Sequence, residues 1–191
     1  MRWLTLYARS RQVPASLAAL VIGAVSVWAV APSHGVGAGD PRPAVLGMAV
    51  GVVAASVGFG GQDVALDRTA AVRWVPRRAA HVLVAGVVVA AVSWGWWSSG
   101  QEPGGAEVLV RDSAGLTGLA ALGAALSGGQ YAWTLPFGWL SFSFFAPPAT
   151  STATQVTGWL LLPPGTPAGA WTALVLLVAG TSAYALAGPR R

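Results

Sequence analysis

The sequence predicts an all-α integral membrane protein, polytopic, with six transmembrane helices and both termini in the cytoplasm. Three observations predict this: 54% of the 191 residues are apolar, only 9% are charged, and long stretches carry no charge. Soluble domains carry charge on about a quarter of their residues. Because each span needs about 20 apolar residues, six spans would use most of the chain. We therefore expect a single transmembrane domain over residues 1–191.

Uncharged runs and helix-breaking residues set the predicted spans. Paired Pro and Gly, as in "LPPGTP" (162–167), end helices. The fifth span is short and contains Pro136, so we expect it to be kinked or to end early and re-enter. "VTGWLLL" (156–162) is too short to span and is expected to form an outer-surface or re-entrant segment. The spans are predicted near 13–31, 43–62, 79–97, 107–126, 130–145 and 168–187.

Arginine and tryptophan orient the bundle. Cytoplasmic loops retain positive charge, and this topology puts nine arginines inside and two, Arg42 and Arg111, outside. The inside set is Arg2, Arg9, Arg11, Arg68, Arg73, Arg77, Arg78, Arg190 and Arg191. Tryptophan favours the headgroup region. The tryptophans at predicted outer ends are Trp28, Trp94, Trp96, Trp97, Trp159 and Trp171.

The N-terminal segment has competing interpretations. Trp3, Leu4 and Tyr7 share one side of a helix over 2–12, with arginines largely opposite, which favours an interfacial helix; a disordered basic start is the alternative. The basic start and the "AVA" at 29–31 also imitate a cleavable signal peptide. The apolar run that follows is longer than a usual signal core, which favours a retained span.

Composition also excludes classes of function. The chain has no lysine, so it contains no Walker A motif, and ATP hydrolysis is expected only in a partner. Without cysteine, and with His34 and His81 at opposite ends of the predicted bundle, no metal site is expected. We expect no enzyme activity, since no catalytic cluster is visible, and no nucleic-acid binding, because the arginines are split among three cytoplasmic segments. The absence of Lys and Asn indicates a GC-rich bacterial genome.

Arg111 and Asp112 lie near the outer end of the fourth span and have two interpretations. In the structural one, Arg111 snorkels to the surface and Asp112 caps the helix start. In the functional one, the two form an outer gate for the substrate. Small residues in "GMAVG" (47–51) and "GLTGLAALGAAL" (115–126) predict close helix packing.

The loop at 62–78, between the second and third spans, is the longest predicted cytoplasmic segment. "QDVALDRTAAVRW" (62–74) has fair helix formers, an acidic start and a late arginine, which suit the helix dipole. Pro76 is expected to push Val75 out of helix, and Arg77 and Arg78 to reach the membrane surface. The alternative is a plain solvated loop.

This loop resembles the coupling helix of ABC-2-type transporter permeases, which inserts into a groove on a separate ATPase subunit. The family pattern maps onto Asp63, Leu66, Val75, Pro76, Arg77 and Arg78, although the family usually has Glu where Asp63 stands. A basic amphipathic N-terminal helix and a re-entrant outer segment between the fifth and sixth spans also resemble that family.

The resemblance implies a permease subunit of an ATP-driven exporter. It implies three partners: an ABC ATPase, a second permease chain and the lipid bilayer. ATP and magnesium would be bound by the ATPase. The substrate is expected to be apolar or amphipathic, since the spans offer no charged pocket. The alternative is a non-transporting accessory or immunity protein that binds its target directly. The predicted ATPase-coupling residues are Asp63, Leu66, Asp67, Arg68, Val75 and Pro76, and the predicted surface anchors are Arg77 and Arg78.

Overall fold

The computed structural model describes residues 40–60, 74–97 and 105–190, together with six helical positions at 18, 19, 21–23 and 25. All regular elements in these residues are helical. The α-helices are α1 (Arg42–Ser56), α2 (Trp74–Trp97), α3 (Gly105–Ser127), α4 (Thr134–Phe145), α5 (Thr152–Thr157) and α6 (Pro167–Ala187). Short 3-10 turns cover Val57–Phe59, Gly129–Tyr131 and Trp159–Leu161.

Four stretches among the described residues are long and apolar enough to cross a membrane: Arg42–Phe59, Trp74–Trp94, Gly105–Ser127 and Pro167–Ala187. They coincide with the second, third, fourth and sixth predicted spans and indicate a membrane protein. The predicted span at 13–31 and the predicted helix at 2–12 lie largely or wholly outside the described residues. Where the early helix is described, Gly23 packs against Val50 of α1.

The predicted fifth span corresponds to α4, which has only 12 residues. At about 1.5 Å per residue it rises about 18 Å, less than the roughly 30 Å of hydrocarbon, so α4 does not cross a bilayer as a helix alone. Pro136 is the third residue of α4 and lies in its first turn. Proline is tolerated there because first-turn N–H groups have no acceptor within the helix.

The start of α2 also differs from its prediction, again because a proline lies in the first turn of the helix. The helix begins at Trp74, so Val75 and Pro76 lie in its first turn and Val75 is helical. The expectation that Pro76 excludes Val75 from helix is therefore wrong. Proline restrains the residue before it, but it loses no hydrogen bond at the start of a helix. Residues 74–78 of the predicted coupling loop therefore belong to α2.

The long helices α1, α3 and α6 run in one direction and α2 runs in the other, which gives the bundle two distinct ends. We call one of them the arginine end. There, Arg78 packs against Gly188, and the backbone N–H of Arg190 donates to Ala124 O at 3.2 Å. Gly60 and Gly129 also touch there. At the opposite end, here the far end, α3 begins at Gly105 and α6 at Pro167.

Helix α3 is the centre of the bundle. Most of its residues are buried, whereas α2 and α6 leave much of their length exposed. The small residues predicted to allow close packing do so: Gly118 of α3 meets Gly180 of α6, and Gly47 and Gly51 are buried in α1. Around this helix, α1, α2, α4 and α6 form one apolar core.

Candidate functional site

A buried ion pair lies two turns into α3. The Nε of Arg111 donates to Oδ1 of Asp112 at 2.8 Å. Arg111 is 5% exposed and Asp112 is completely buried. A charge removed from water is costly unless it is paired and hydrogen-bonded. The two side chains therefore depend on each other.

Arg111 also fastens a distant turn to α3. It donates from Nη2 to Leu162 O at 2.9 Å and from Nη1 to Pro163 O at 3.3 Å. One helical turn earlier, Oε1 of Glu107 accepts from the backbone N–H of Gly165 at 2.8 Å. Residues four apart share a helix face, so both side chains reach the same turn. We call Glu107, Arg111, Asp112 and residues 162–165 the far-end clasp.

Local sequence explains why this turn suits an arginine. Pro163 and Pro164 cannot donate hydrogen bonds and cannot continue a helix, so the preceding carbonyls stay available as acceptors. Gly165 has φ +77°, in the left-handed region that favours glycine. Gly169 leaves room for the guanidinium, because a Cβ there would lie 3.3 Å from Arg111 Nη1.

The structure corrects the structural interpretation of Arg111 and Asp112. Arg111 does not snorkel to the surface, because three oxygen acceptors lie within reach inside the bundle. Asp112 is the eighth residue of α3 and does not cap it. The pair predicted as an outer gate is thus in contact, and gating stays a prediction. Glu107 was not among the residues predicted for this site, and its signal was its spacing of four residues from Arg111.

Part of the segment between α4 and α6 is buried in the bundle. Ser151 caps α5 through a reciprocal box with Thr154. Trp139 of α4 donates its indole N–H to Thr157 O at 3.0 Å. Next, Trp159 and Leu160 are both 0% exposed. Trp159 and Leu160 are therefore inside the bundle, whereas Val156 is 39% exposed, and the outer-surface and re-entrant interpretations of 156–162 both stay predictions.

Trp159 also departs from its predicted place at the headgroup level. Its benzo edge packs against Gly115, near the middle of α3. A side chain on residue 115 would occupy the space of the ring, so the glycine creates the groove that receives it. The signal in the sequence was the small-residue run of α3, which predicted close packing without naming the partner.

The arginine end carries the described part of the predicted coupling region. Val75, Pro76 and Arg77 are exposed in the first turn of α2, and Arg78 is half-buried beside Gly188. The guanidinium of Arg77 lies 6.0 Å from the Trp74 ring centre, within cation–π range. The remaining predicted coupling residues, Asp63, Leu66, Asp67 and Arg68, lie outside the described residues.

Three helices are joined where the 61–73 segment attaches. The hydroxyl of Tyr184 in α6 donates to the backbone oxygen of Phe59, at the end of α1, at 2.9 Å. The Phe59 ring meets His81 of α2 edge-on, with 5.6 Å between ring centres. The end of α1 is thereby bonded to α6, and α2 packs against the same Phe59 ring.

Within the described part of the chain, no three His, Cys, Asp or Glu residues come together as a metal site would need. Comparison of the chain with protein-family models, with curated proteins and with solved structures finds no match.

Proposed function

We propose that this chain is the membrane-spanning permease subunit of an ATP-driven exporter in a bacterial cell membrane. It has six spans and cytoplasmic termini, works with a second permease chain and a separate ATPase, and moves an apolar or amphipathic substrate. One observation carries the proposal: between α4 and α6, Trp159 and Leu160 are buried in the bundle, at a distance from the arginine end. A re-entrant segment in that place is what the resemblance to ABC-2-type permeases implies.

The distribution of charge supports the same orientation. Arg77, Arg78 and Arg190 gather at one end, where the 61–73 segment also attaches. Positive charge favours the cytoplasmic side. A coupling helix on this segment would therefore meet an ATPase in the cytoplasm, and the far-end clasp would lie at the outer face.

The contacts suggest how a push on the loop would reach the rest of the bundle. Movement of the segment would act on Phe59 and on the start of α2, and the Tyr184 hydrogen bond joins Phe59 to α6. At its other end, α6 begins directly after the turn that Arg111 holds. Outward opening requires that turn to move relative to α3, so Arg111 and Asp112 would act as the outer gate.

The test is association and coupling with the ATPase encoded beside this chain. Purified alone, the chain should show no ATPase activity; co-expressed with the ATPase, it should form a complex that survives detergent. Leu66→Asp should release the ATPase or uncouple its hydrolysis from export, because Leu66 shares a predicted helix face with Asp63 and Asp67. Val64→Asp, on the opposite side of the predicted helix, is the matched control and should leave both unchanged.

The competing function is that of an accessory or immunity protein. It would be supported if the chain copurified only with a target that is not an ATPase, and if export continued in its absence. Wild-type association and export in Leu66→Asp would reduce the loop to a tether and end the coupling hypothesis.

A further inference from the structure

Three buried polar atoms lie on three adjoining elements, namely α3, α4 and the Trp159–Leu161 turn. Asp112 bonds Arg111 through Oδ1, but its Oδ2 has no hydrogen-bond partner among the described residues. The same holds, within that part of the chain, for Oγ of Ser143 and Nε1 of Trp159. Ser143 is 2% exposed, and Trp159 and Asp112 are 0% exposed. Buried polar atoms without partners are rare in folded proteins and point to a bound group.

The ring of Trp159 packs against the turn of α3 that follows Asp112. A Cβ built on Gly115 would lie 2.9 Å from Cζ2 of Trp159, and Cζ2 is two bonds from Nε1. Gly115 follows Asp112 by three residues, and residues three apart are neighbours on a helix surface. Leu162, three residues after Trp159, is bonded to Arg111 beside Asp112. The indole N–H and the carboxylate therefore flank one small region.

Ser143 lies on the buried face of α4. The buried residues of α4 are Pro136, Leu140 and Ser143, which share one face of the helix. Trp139, one turn before Ser143, donates to Thr157 O, just ahead of Trp159. This bond places α4 beside the part of the chain that carries the buried indole.

The heights along the bundle also agree. The contact between Gly123 of α3 and Ala132, just before α4, sets the relative heights of the two antiparallel helices. Eleven residues separate Gly123 from Asp112, and eleven separate Ala132 from Ser143. At a common rise per residue, Ser143 comes level with Asp112.

The three atoms have complementary hydrogen-bonding capacities. The indole N–H of Trp159 only donates, the carboxylate of Asp112 only accepts, and the hydroxyl of Ser143 does both. Arg111 already balances the charge of Asp112. An added cation would be repelled by Arg111, and an added anion would be repelled by Asp112. A neutral hydroxyl fits, because it accepts from the indole and donates to the carboxylate.

We propose that Asp112, Ser143 and Trp159 form a binding site for one hydroxyl group inside the bundle. Its source is either an internal water molecule or the alcohol of an amphipathic ligand. The site does not depend on the exporter function, since it rests on the chemistry of the buried atoms alone.

The indole N–H of Trp159 is a direct reporter of this site. We would record nitrogen-labelled tryptophan resonances of the full chain in lipid nanodiscs and assign the Trp159 signal with Trp159→Phe. A cross-peak between that N–H and a hydroxyl proton is expected, and Ser143→Ala should shift it. Trp139, whose N–H is bonded directly to Thr157 O, is the internal control and should show neither effect. Ser141→Ala is the matched serine control, because Ser141 bonds Phe137 O of its own helix at 2.9 Å.

Addition of 1-decanol distinguishes the two sources, with decane as the control for apolar partitioning. A water cross-peak that persists in decanol supports an internal water. A Trp159 shift produced by decanol but not by decane supports a ligand alcohol.

Thermal unfolding supplies a second measurement that does not need Trp159→Phe to fold. The near-isosteric variants Ser143→Ala and Asp112→Asn should have non-additive effects on the unfolding midpoint if they share a bound group. Additive effects, together with a Trp159 resonance that shows no hydroxyl cross-peak and ignores decanol, would overturn the proposal.

Discussion

Gly180 of α6 lies directly against the backbone of Gly118 in α3. A Cβ on either glycine would collide with the backbone of the opposite helix, which cannot move aside as a side chain can. In a membrane, where lipid is as apolar as leucine, such close approach replaces the hydrophobic effect as a source of helix association. The central helix is therefore joined to α6 by backbone proximity.

Replacement of Gly180 by alanine should separate the two helices and destabilise the protein by about 1–3 kcal/mol, the usual cost of overpacking. Thermal unfolding in detergent micelles measures the change. The control is Gly138→Ala on α4, where nothing lies within 4 Å of a new Cβ and alanine should be neutral or slightly stabilising. Equal midpoints for the two variants would show that the glycine contact does not hold the helices.

Gly115→Ala should expel the indole of Trp159 from its groove and destabilise the protein, again by about 1–3 kcal/mol. Because the clash is with the ring, the double variant Gly115→Ala with Trp159→Phe should be more stable than the sum of the two single effects predicts. Thermal midpoints of the four proteins in this cycle give the answer. Additive losses would mean that the ring and the glycine are not coupled.

Arg111→Met should be strongly destabilising, by about 3–5 kcal/mol, because it leaves the buried charge of Asp112 without its partner. The double variant Arg111→Met with Asp112→Leu removes both charges and should recover part of that loss. Glu107→Gln is a milder comparison, since the amide oxygen can still accept from Gly165. Chemical or thermal unfolding of the three variants distinguishes a mutually dependent pair from two independent side chains, which would show no recovery.

Tyr184→Phe should cost about 1 kcal/mol, the net value of the hydrogen bond to Phe59 O. Tyr131→Phe is the matched control, because Tyr131 is 48% exposed. In the proposed exporter, Tyr184→Phe should also reduce export per ATP hydrolysed without releasing the ATPase. A loss of export equal in both tyrosine variants would contradict a special role for the Tyr184 bond.

Topology can be tested by single cysteines, because the native chain has none. Cysteines at Gly37, Gly104 and Thr154 are expected to react with an impermeant reagent from outside. Cysteines at Gly61 and Gln130 should react only after permeabilisation. Gln130 stands in for its neighbour Gly129, where a side chain would strike Gly60. Labelling of Gly61 from outside would reverse the orientation and remove the coupling loop with it.

Much of the fold was predictable because lipid imposes a simple rule on sequence. A span must be long, apolar and helical, so uncharged runs located the helices at 42–56, 74–97, 105–127 and 167–187 to within a few residues. Prolines were harder to interpret, since Pro76 and Pro136 lie in the first turns of helices that they were expected to break or bend. The cost of a proline depends on its position in the helix, and a local pattern does not reveal where the first turn lies.

The candidate site was predictable only in part. Arg111 and Asp112 stood out as charges in an apolar chain, but their partners at 162–165 lie more than fifty residues away. Glu107 was missed because a glutamate near a helix start looks ordinary until the turn that it binds is in place. The groove that receives Trp159 could not be predicted for a similar reason. It exists because Gly115, on another helix, has no side chain.

Composition and the uncharged runs are properties of the chain alone, and they were enough to establish that the chain is helical, apolar enough to enter a membrane and free of a Walker A motif. Tertiary structure alone decided that Arg111 is buried instead of snorkelling and that Trp159 packs at the middle of α3 instead of at its end. The reason is that an acceptor or a groove comes from other elements. A carbonyl at Leu162 and the bare backbone of Gly115 become available only when distant parts of the chain pack together.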